Sequence, residues 1–432
     1  MFLRRAVVVV TIALVFAGFQ VPAQAGKYTP RSGVTFNSAV GTDAKQDMIF
    51  DKIVRSIRST PRGEEIRIMS WNIQSFGAVD ALLKAQSRGV RVRALMARSN
   101  AVKVHNPSWE RLRKGLQRGN RTRTRDSWAR LCAGSCRGSG GNAHAKYFLF
   151  SKSGKARHVA IQGSANLTAA STNNQWNDIY TTVNREGVYR YFVEIFTQAS
   201  KDRLAPRSTS YWTSGSERFV FFPRPKVDPV GSLLDRVKCR GATNTRSGRT
   251  NLRILPDAFR EERGMRLARK VWNLWQSGCN VRVGYTVMGR DVGALLRRPG
   301  QRGRGVPLRH MVQDTNGDHI FDRYFHLKSM SIEGNLGRDK SSWVVLNGSA
   351  NWSNTFGNDE NVGTYYRKGL TSRYQKHFDY WFNWPGFART GRYQMSARTT
   401  QDAVQEGRLV DGLLFGIGPI NGVDPYANLD MD

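Results

Sequence analysis

Acidic side chains are scarce in this chain of 432 residues: 33 Asp and Glu stand against 67 Lys and Arg, a formal charge of +34. A surface so unbalanced attracts polyanions such as nucleic acid, anionic lipid headgroups or acidic polymer. Proline is also sparse, at 14, and with 40% apolar residues this excludes a low-complexity or disordered chain. Past residue 25 no stretch approaches the roughly 20 apolar residues of a membrane span. Cysteine is limited to Cys132, Cys136, Cys239 and Cys279; a C-x3-C pair with no matched pair or histidine beside it argues against structural zinc.

What is present begins with a targeting pattern. Arg4 and Arg5 precede an apolar run from Ala6 to Phe19, and Ala23-Gln24-Ala25 has the form of a signal-peptidase site, so a secreted protein cut after Ala25 is expected. Export permits disulfides. Of the three possible pairings, the local ones, Cys132–Cys136 and Cys239–Cys279, are the economical choice.

The body repeats itself. His144-Ala-Lys146 is followed by Gly163-Ser-Ala-Asn166, and His326-Leu-Lys328 by Gly348-Ser-Ala-Asn351, with an offset of 182 residues at the histidines and 185 at the asparagines. The repeat extends upstream. Residues 66–71 and 90–96 read as strands around a helix at 79–88 closed by Gly89; residues 252–255 and 281–285 read as strands around a helix at 260–277 closed by Gly278. Residues 43–60 form a further amphipathic helix. Each strand–helix–strand unit implies parallel strands. The expected architecture is α/β, with two similar lobes and one active site at their interface. The lobes are placed at 26–222 and 251–390, joined by 223–250, with a tail at 391–432 that carries six acids and Arg408 alone among the basic residues from Asp402 onward.

Both motifs carry the groups that phosphodiester cleavage needs. His and Lys two residues apart on an extended chain face the same way. Gly lets the backbone approach an anion, while Ser and Asn offer donors, with helix N–H groups added if a helix starts there. One imidazole can attack phosphorus and the other protonate the leaving alkoxide and then activate water, while Lys and Asn stabilise the charged oxygens. Basic stretches precede each histidine: Arg111, Arg113, Lys114, Arg118, Arg121, Arg123 and Arg125 before the first, Arg297, Arg298, Arg302 and Arg304 before the second. Their equivalent places in the repeat suggest that both rim one cleft. The other histidines, and the acidic run of Asp314, Asn316, Asp318 and Asp322, read as structural or solvated.

In these motifs the chain resembles the phospholipase D superfamily, over nearly all of residues 35–385. The resemblance implies catalysis by His144, Lys146, Ser164 and Asn166 from one motif with His326, Lys328, Ser349 and Asn351 from the other, through a phosphohistidine, with neither cofactor nor metal. It makes His144 the nucleophile and His326 the acid. It also suggests an acid downstream of each Asn that holds a histidine, here Asp178 and Glu360. The chain departs from the family where an aspartate follows H-x-K-x4: Ser151 and Glu333 stand there. Phospholipid headgroup hydrolysis by a monomer without a stable protein partner is the leading expectation, with Trp352 among the tryptophans available to a lipid surface. A secreted nuclease is the alternative, supported by the charge, and an inactive module binding anionic polymers is the third reading.

Overall fold

The computed structural model describes residues 28–121, 126–387, 424–427 and 429. The expected signal peptide, Arg123, Arg125 and every tail acid except Asp424 lie outside the described residues. Among the described residues, no helix is long and apolar enough to cross a membrane.

Two mixed sheets carry the duplication. The first has seven strands, in the order Gly33–Phe36, Asp178–Thr182, Ala156–Gly163, Tyr147–Ser153, Glu65–Ser70, Arg91–Ala97 and Trp128–Cys132. The last three run parallel, and the others pair antiparallel. The second sheet repeats six of these strands in the same order: Asn361–Tyr366, Asp339–Gly348, Ser329–Leu336, Asn251–Leu255, Asn280–Tyr285 and Leu308–His310. Its last three are again parallel. Helices Phe76–Ser87 and Glu261–Gln276 cross between equivalent strands, as the sequence predicts. Each ends on a glycine in the left-handed region, Gly89 at φ +94° and Gly278 at φ +98°, where a side chain would be strained.

Alternation along the first sheet sorts its side chains. Ile66, Ile68, Phe148 and Phe150 face helices Met48–Arg58, Phe76–Ser87 and Pro107–Asn120, while Met69, Tyr147 and Leu149 face the other way. That second face packs with Phe192 and Ile195 and with Phe221, Val345, Tyr365 and Tyr374 of the second half, so one apolar layer joins the lobes.

Two boundaries differ from the sequence-based expectation. Strands Ser210–Ser214 and Glu217–Phe221, assigned to the first lobe, pair onto Asn361–Tyr366 and extend the second sheet. The span 223–250 also holds helix Pro229–Asp235, which is started by the Asp228 side chain accepting from Val230 N and packs Val230, Leu233 and Leu234 into the second core. Composition rich in Gly, Ser and Arg hid this short apolar helix. Asp43–Gln46 and Met48–Arg58 divide the single helix expected over 43–60.

Both disulfides pair locally, Cys132–Cys136 and Cys239–Cys279. The second spans 40 residues and the first four. Loop-closure entropy assigns about 4 kcal/mol to the longer and about 2 kcal/mol to the shorter. Replacing Cys239 and Cys279 by serine should therefore lower the denaturation midpoint clearly more than replacing Cys132 and Cys136, as read by urea unfolding.

Candidate active site

His144 and Lys146 lie in an extended segment immediately before strand Tyr147–Ser153, and His326 and Lys328 hold the equivalent place before Ser329–Leu336. Each Lys Nζ folds back onto the carbonyl of its own histidine, at 2.8 Å in the first motif and 2.9 Å in the second. Lys328 also pairs with Asp257 at 3.0 Å. Gly163 and Gly348 end the next strands. A Cβ at either would overlap the carbonyl of the neighbouring strand, that of Asp178 or Asn361. Those same carbonyls accept from Ser164 N and Ser349 N, at 3.0 and 2.9 Å. The expected helix N-terminus is not supplied: a two-residue strand and the four-residue helix Ala170–Asn173 follow Asn166, and Asn351 leads into bends.

Each histidine is held by the other half of the chain. The carboxylate of Glu360 accepts from Nδ1 of His144 at 2.8 Å, and the amide oxygen of Asn177 accepts from Nδ1 of His326 at 2.8 Å. Within each half the motif serine grips the same group: Ser349 Oγ donates to Glu360, and Ser164 Oγ donates to Asn177 Oδ1 at 2.8 Å. The backbone adds reciprocal ties, His144 N to Asp359 O at 3.0 Å and His326 N to Trp176 O at 2.9 Å. Between the lobes runs a chain of amides. Asn361 Nδ2 donates to Gln162 Oε1, Gln162 Nε2 to Asn347 Oδ1, and Asn347 Nδ2 to Asp178 Oδ2, at 2.6, 2.7 and 2.8 Å. Gln162 and Asn347 immediately precede the two motif glycines, so equivalent side chains of the two halves meet each other.

None of the eight motif residues is more than 2% exposed. Charges here act in a low dielectric, where each is worth more than in water. Burial pushes the Glu360 carboxyl up, but the His144 ring, its hydrogen bond, Lys146 and Ser349 outweigh that and hold it below its ordinary value. Asp178 shows the opposite balance: burial raises its carboxyl despite hydrogen bonds from Tyr374, Asn347 and Ser164. Asn166 Oδ1 accepts from Ser70 Oγ and Asn72 N, while its buried NH2 has no hydrogen-bond partner among the described residues. Trp71 stands edge-on to His144, 6.1 Å between ring centroids, with Lys146 Nζ 5.9 Å from the indole centroid.

Several expectations are corrected. Asp178 does not hold a histidine; it ends the amide chain between the lobes, and Asn177 takes the position expected of it. Asn177 matches Glu360 at an offset of 183, within the span set by the motifs, so the repeat itself pointed to it; a search for acids could not. Ser151 hydrogen-bonds Glu64 and accepts from Glu65 N, and Glu333 accepts from Asn251, so both positions tie a sheet together away from the histidines. Trp352 is fully buried against Phe259 and meets no surface. Among the described residues, the two basic stretches do not share a cleft. Arg111, Arg113 and Lys114 lie on helix Pro107–Asn120, paired with Asp80 and Glu110, while Arg302 and Arg304 lie at the end of the second sheet opposite the histidines.

Asp359, next to Glu360, is buried 3.6 Å from Arg137. Burial lifts its carboxyl to about 7, with Arg137 opposing and Glu360 adding to the rise. The folded state therefore keeps a proton that the unfolded state has lost between about pH 4 and 7, and stability falls as pH rises through that window. Asp359→Asn should flatten this slope, shrinking the difference in Tm between pH 5 and pH 7.

Residues 53–199 match the family described as cardiolipin synthase, PLD-like domain. Phosphatidylserine synthase of Haemophilus influenzae Rd KW20 has a similar structure over 87% of this chain and 92% of its own, with a TM-score of 0.56 and 12% identity. Polyphosphate kinase of Porphyromonas gingivalis is similar over 88% of this chain and 55% of its own, with a TM-score of 0.55 and 12% identity, so the chain spans about half of that kinase. Nuc of Salmonella typhimurium, a phospholipase D family member, matches 40% of this chain and 96% of its own, with a TM-score of 0.30 and 16% identity. No curated protein matches the sequence. Two α/β lobes of one pattern each lend a side chain to the other's histidine. The first half thus carries a match to a PLD-like domain, and most of the chain shares its fold with the synthase.

Proposed function

We propose that the protein is a phosphodiesterase that works through a covalent phosphohistidine on His144, and that nucleic acid is the diester it cuts. The observation that supports the chemistry is the unequal reciprocal pair, a carboxylate behind His144 and a neutral amide behind His326. With Nδ1–H of His144 held by Glu360, Nε2 carries the lone pair that attacks phosphorus. The ring becomes cationic as the N–P bond forms, and the buried carboxylate stabilises that cation. His326 gives its Nε2 proton to the leaving alkoxide as the P–O bond breaks. An amide stabilises an imidazolium less than a carboxylate does, so His326 is the readier acid. Neutral His326 then takes a proton from water, whose oxygen displaces His144 and releases the phosphomonoester. Lys146, Lys328 and the amide of Asn166 offer positive charge and a donor to the phosphoryl oxygens. This complete set of groups speaks against an inactive binding module.

For the substrate, the charge of +34 favours a polyanion, and the burial of Trp352 removes the side chain that favoured a lipid surface. Phospholipid headgroup hydrolysis remains the second reading, favoured by the match to a domain described from cardiolipin synthase. Two disulfides fit a secreted protein. Purified protein assayed side by side on single-stranded DNA and labelled phosphatidylcholine, both with EDTA, should cut the DNA, with activity falling steeply as salt rises. Hydrolysis of phosphatidylcholine with DNA left intact would transfer the assignment to lipid.

A further inference from the structure

A recess of about 470 Å³ opens at the N-terminal ends of the parallel strands Asn251–Leu255, Asn280–Tyr285 and Leu308–His310. Four arginines line it: Arg249, Arg282, Arg302 and Arg304. The acid beside them is Asp379, already shared between Arg253 at 2.7 Å and Arg282 at 3.1 Å. Among the described residues, Arg249, Arg302 and Arg304 have no carboxylate partner.

Arg302 is positioned rather than loose. Arg302 Nη1 donates to the carbonyls of Trp275 and Cys279, both at 3.0 Å, and its guanidinium lies 3.6 Å from the Trp275 ring centroid. Trp275 Nε1 in turn donates to Arg304 O at 3.0 Å, and the Cys239–Cys279 bridge ties down the same corner. Gly303, at φ +67°, turns the chain between the two arginines. The Arg302 guanidinium is held below its ordinary value by burial and by repulsion from Arg249 and Arg304. Three guanidinium groups gathered without a carboxylate partner among the described residues are a cost to the folded chain that a bound anion would relieve. Guanidinium forks match phosphate oxygens in pairs.

We propose that this recess is a second anion site, which holds the phosphate backbone of a single nucleic-acid strand away from His144 and His326. The choice of nucleic acid as occupant rests on the reading of the active site given above. Position favours it independently. The catalytic groups sit at the opposite, C-terminal ends of the same strands, where Asp257 meets Lys328 and Ala258 N meets Asn351. Strands of five or six residues separate the two places by roughly 20 Å. A flat bilayer held at the recess would face away from the catalytic pair. A flexible strand of several nucleotides is long enough to reach both.

The test uses full-length His144→Ala protein, which should bind without cutting, with and without Arg249→Ser and Arg304→Ser together. Neither side chain holds the fold through a hydrogen bond among the described residues. Affinity for a labelled 20-nucleotide DNA strand should fall about tenfold or more at 0.1 M salt, and the slope of log affinity against log salt should shrink by about 1.4. In otherwise wild-type protein the double change should raise KM for the 20-mer while leaving cleavage of a dinucleotide unaltered. Unchanged affinity and slope would overturn the site. So would an equal loss from Arg111→Ser with Arg113→Ser, which would show charge alone, or a loss confined to phosphatidylglycerol vesicles, which would name a membrane instead. If the wild type cuts no nucleic acid yet the binding loss appears, the catalytic reading falls and the recess stands. If it cuts and the loss is absent, the recess falls alone.

Discussion

Replacing His144 by alanine should lower turnover by at least ~10⁴-fold on any diester, because the atom that forms the covalent bond is gone. His326→Ala should behave differently. On an ordinary alkyl diester the missing proton donor should reduce the rate by about 10³-fold. On a nitrophenyl diester, whose leaving group departs without a proton, the first step should survive. Hydrolysis of the phosphoenzyme still requires His326 as base, so this variant should release one equivalent of nitrophenol per protein and then stall. Stopped-flow absorbance reads both phases. A burst from His144→Ala, with none from His326→Ala, would reverse the two roles.

The second large effect concerns the partners behind the rings. Glu360→Gln removes the carboxylate that stabilises the cationic His144 ring, and the rate should fall about 100-fold. The sign of the pH effect follows from the same contact. A carboxylate favours imidazolium, so its loss lowers the pKa of His144, and the acid limb of the profile, where that ring must lose its proton to attack, should move down by about one unit. Asn177→Asp places a carboxylate behind His326 instead. That raises the pKa of the acid, and the alkaline limb should move up by about one unit. Rates of the three proteins between pH 4 and 9 check both shifts, and movement of the limbs in the opposite directions would refute the assignment of partners.

Much of the architecture could be read from the chain because duplication doubles every signal. The two strand–helix–strand units, the glycines closing their helices and the local disulfides all rest on patterns within a few residues or on the repeat. What escaped was set by contacts between the halves. Asn177 lies beside an acid, and nothing local reveals that the amide rather than the carboxylate turns toward His326. Strands Ser210–Ser214 and Glu217–Phe221 join the second sheet because its edge offers Asn361–Tyr366 as a partner, a choice invisible in their own sequence. Arg302 and Arg304 precede His326 in the chain, but the strand Leu308–His310 runs between them and it, which carries the arginines to the far end of the sheet. Trp352 follows Asn351 directly, yet its ring turns inward onto Phe259.

One covalent bond, between His144 and phosphorus, carries the proposed mechanism. Wild-type protein mixed with phosphorus-labelled substrate, quenched in denaturant within milliseconds and digested, should yield a labelled peptide containing His144, stable to base and lost in mild acid. Label recovered on a serine, on His326 alone, or on no peptide while product forms would contradict it.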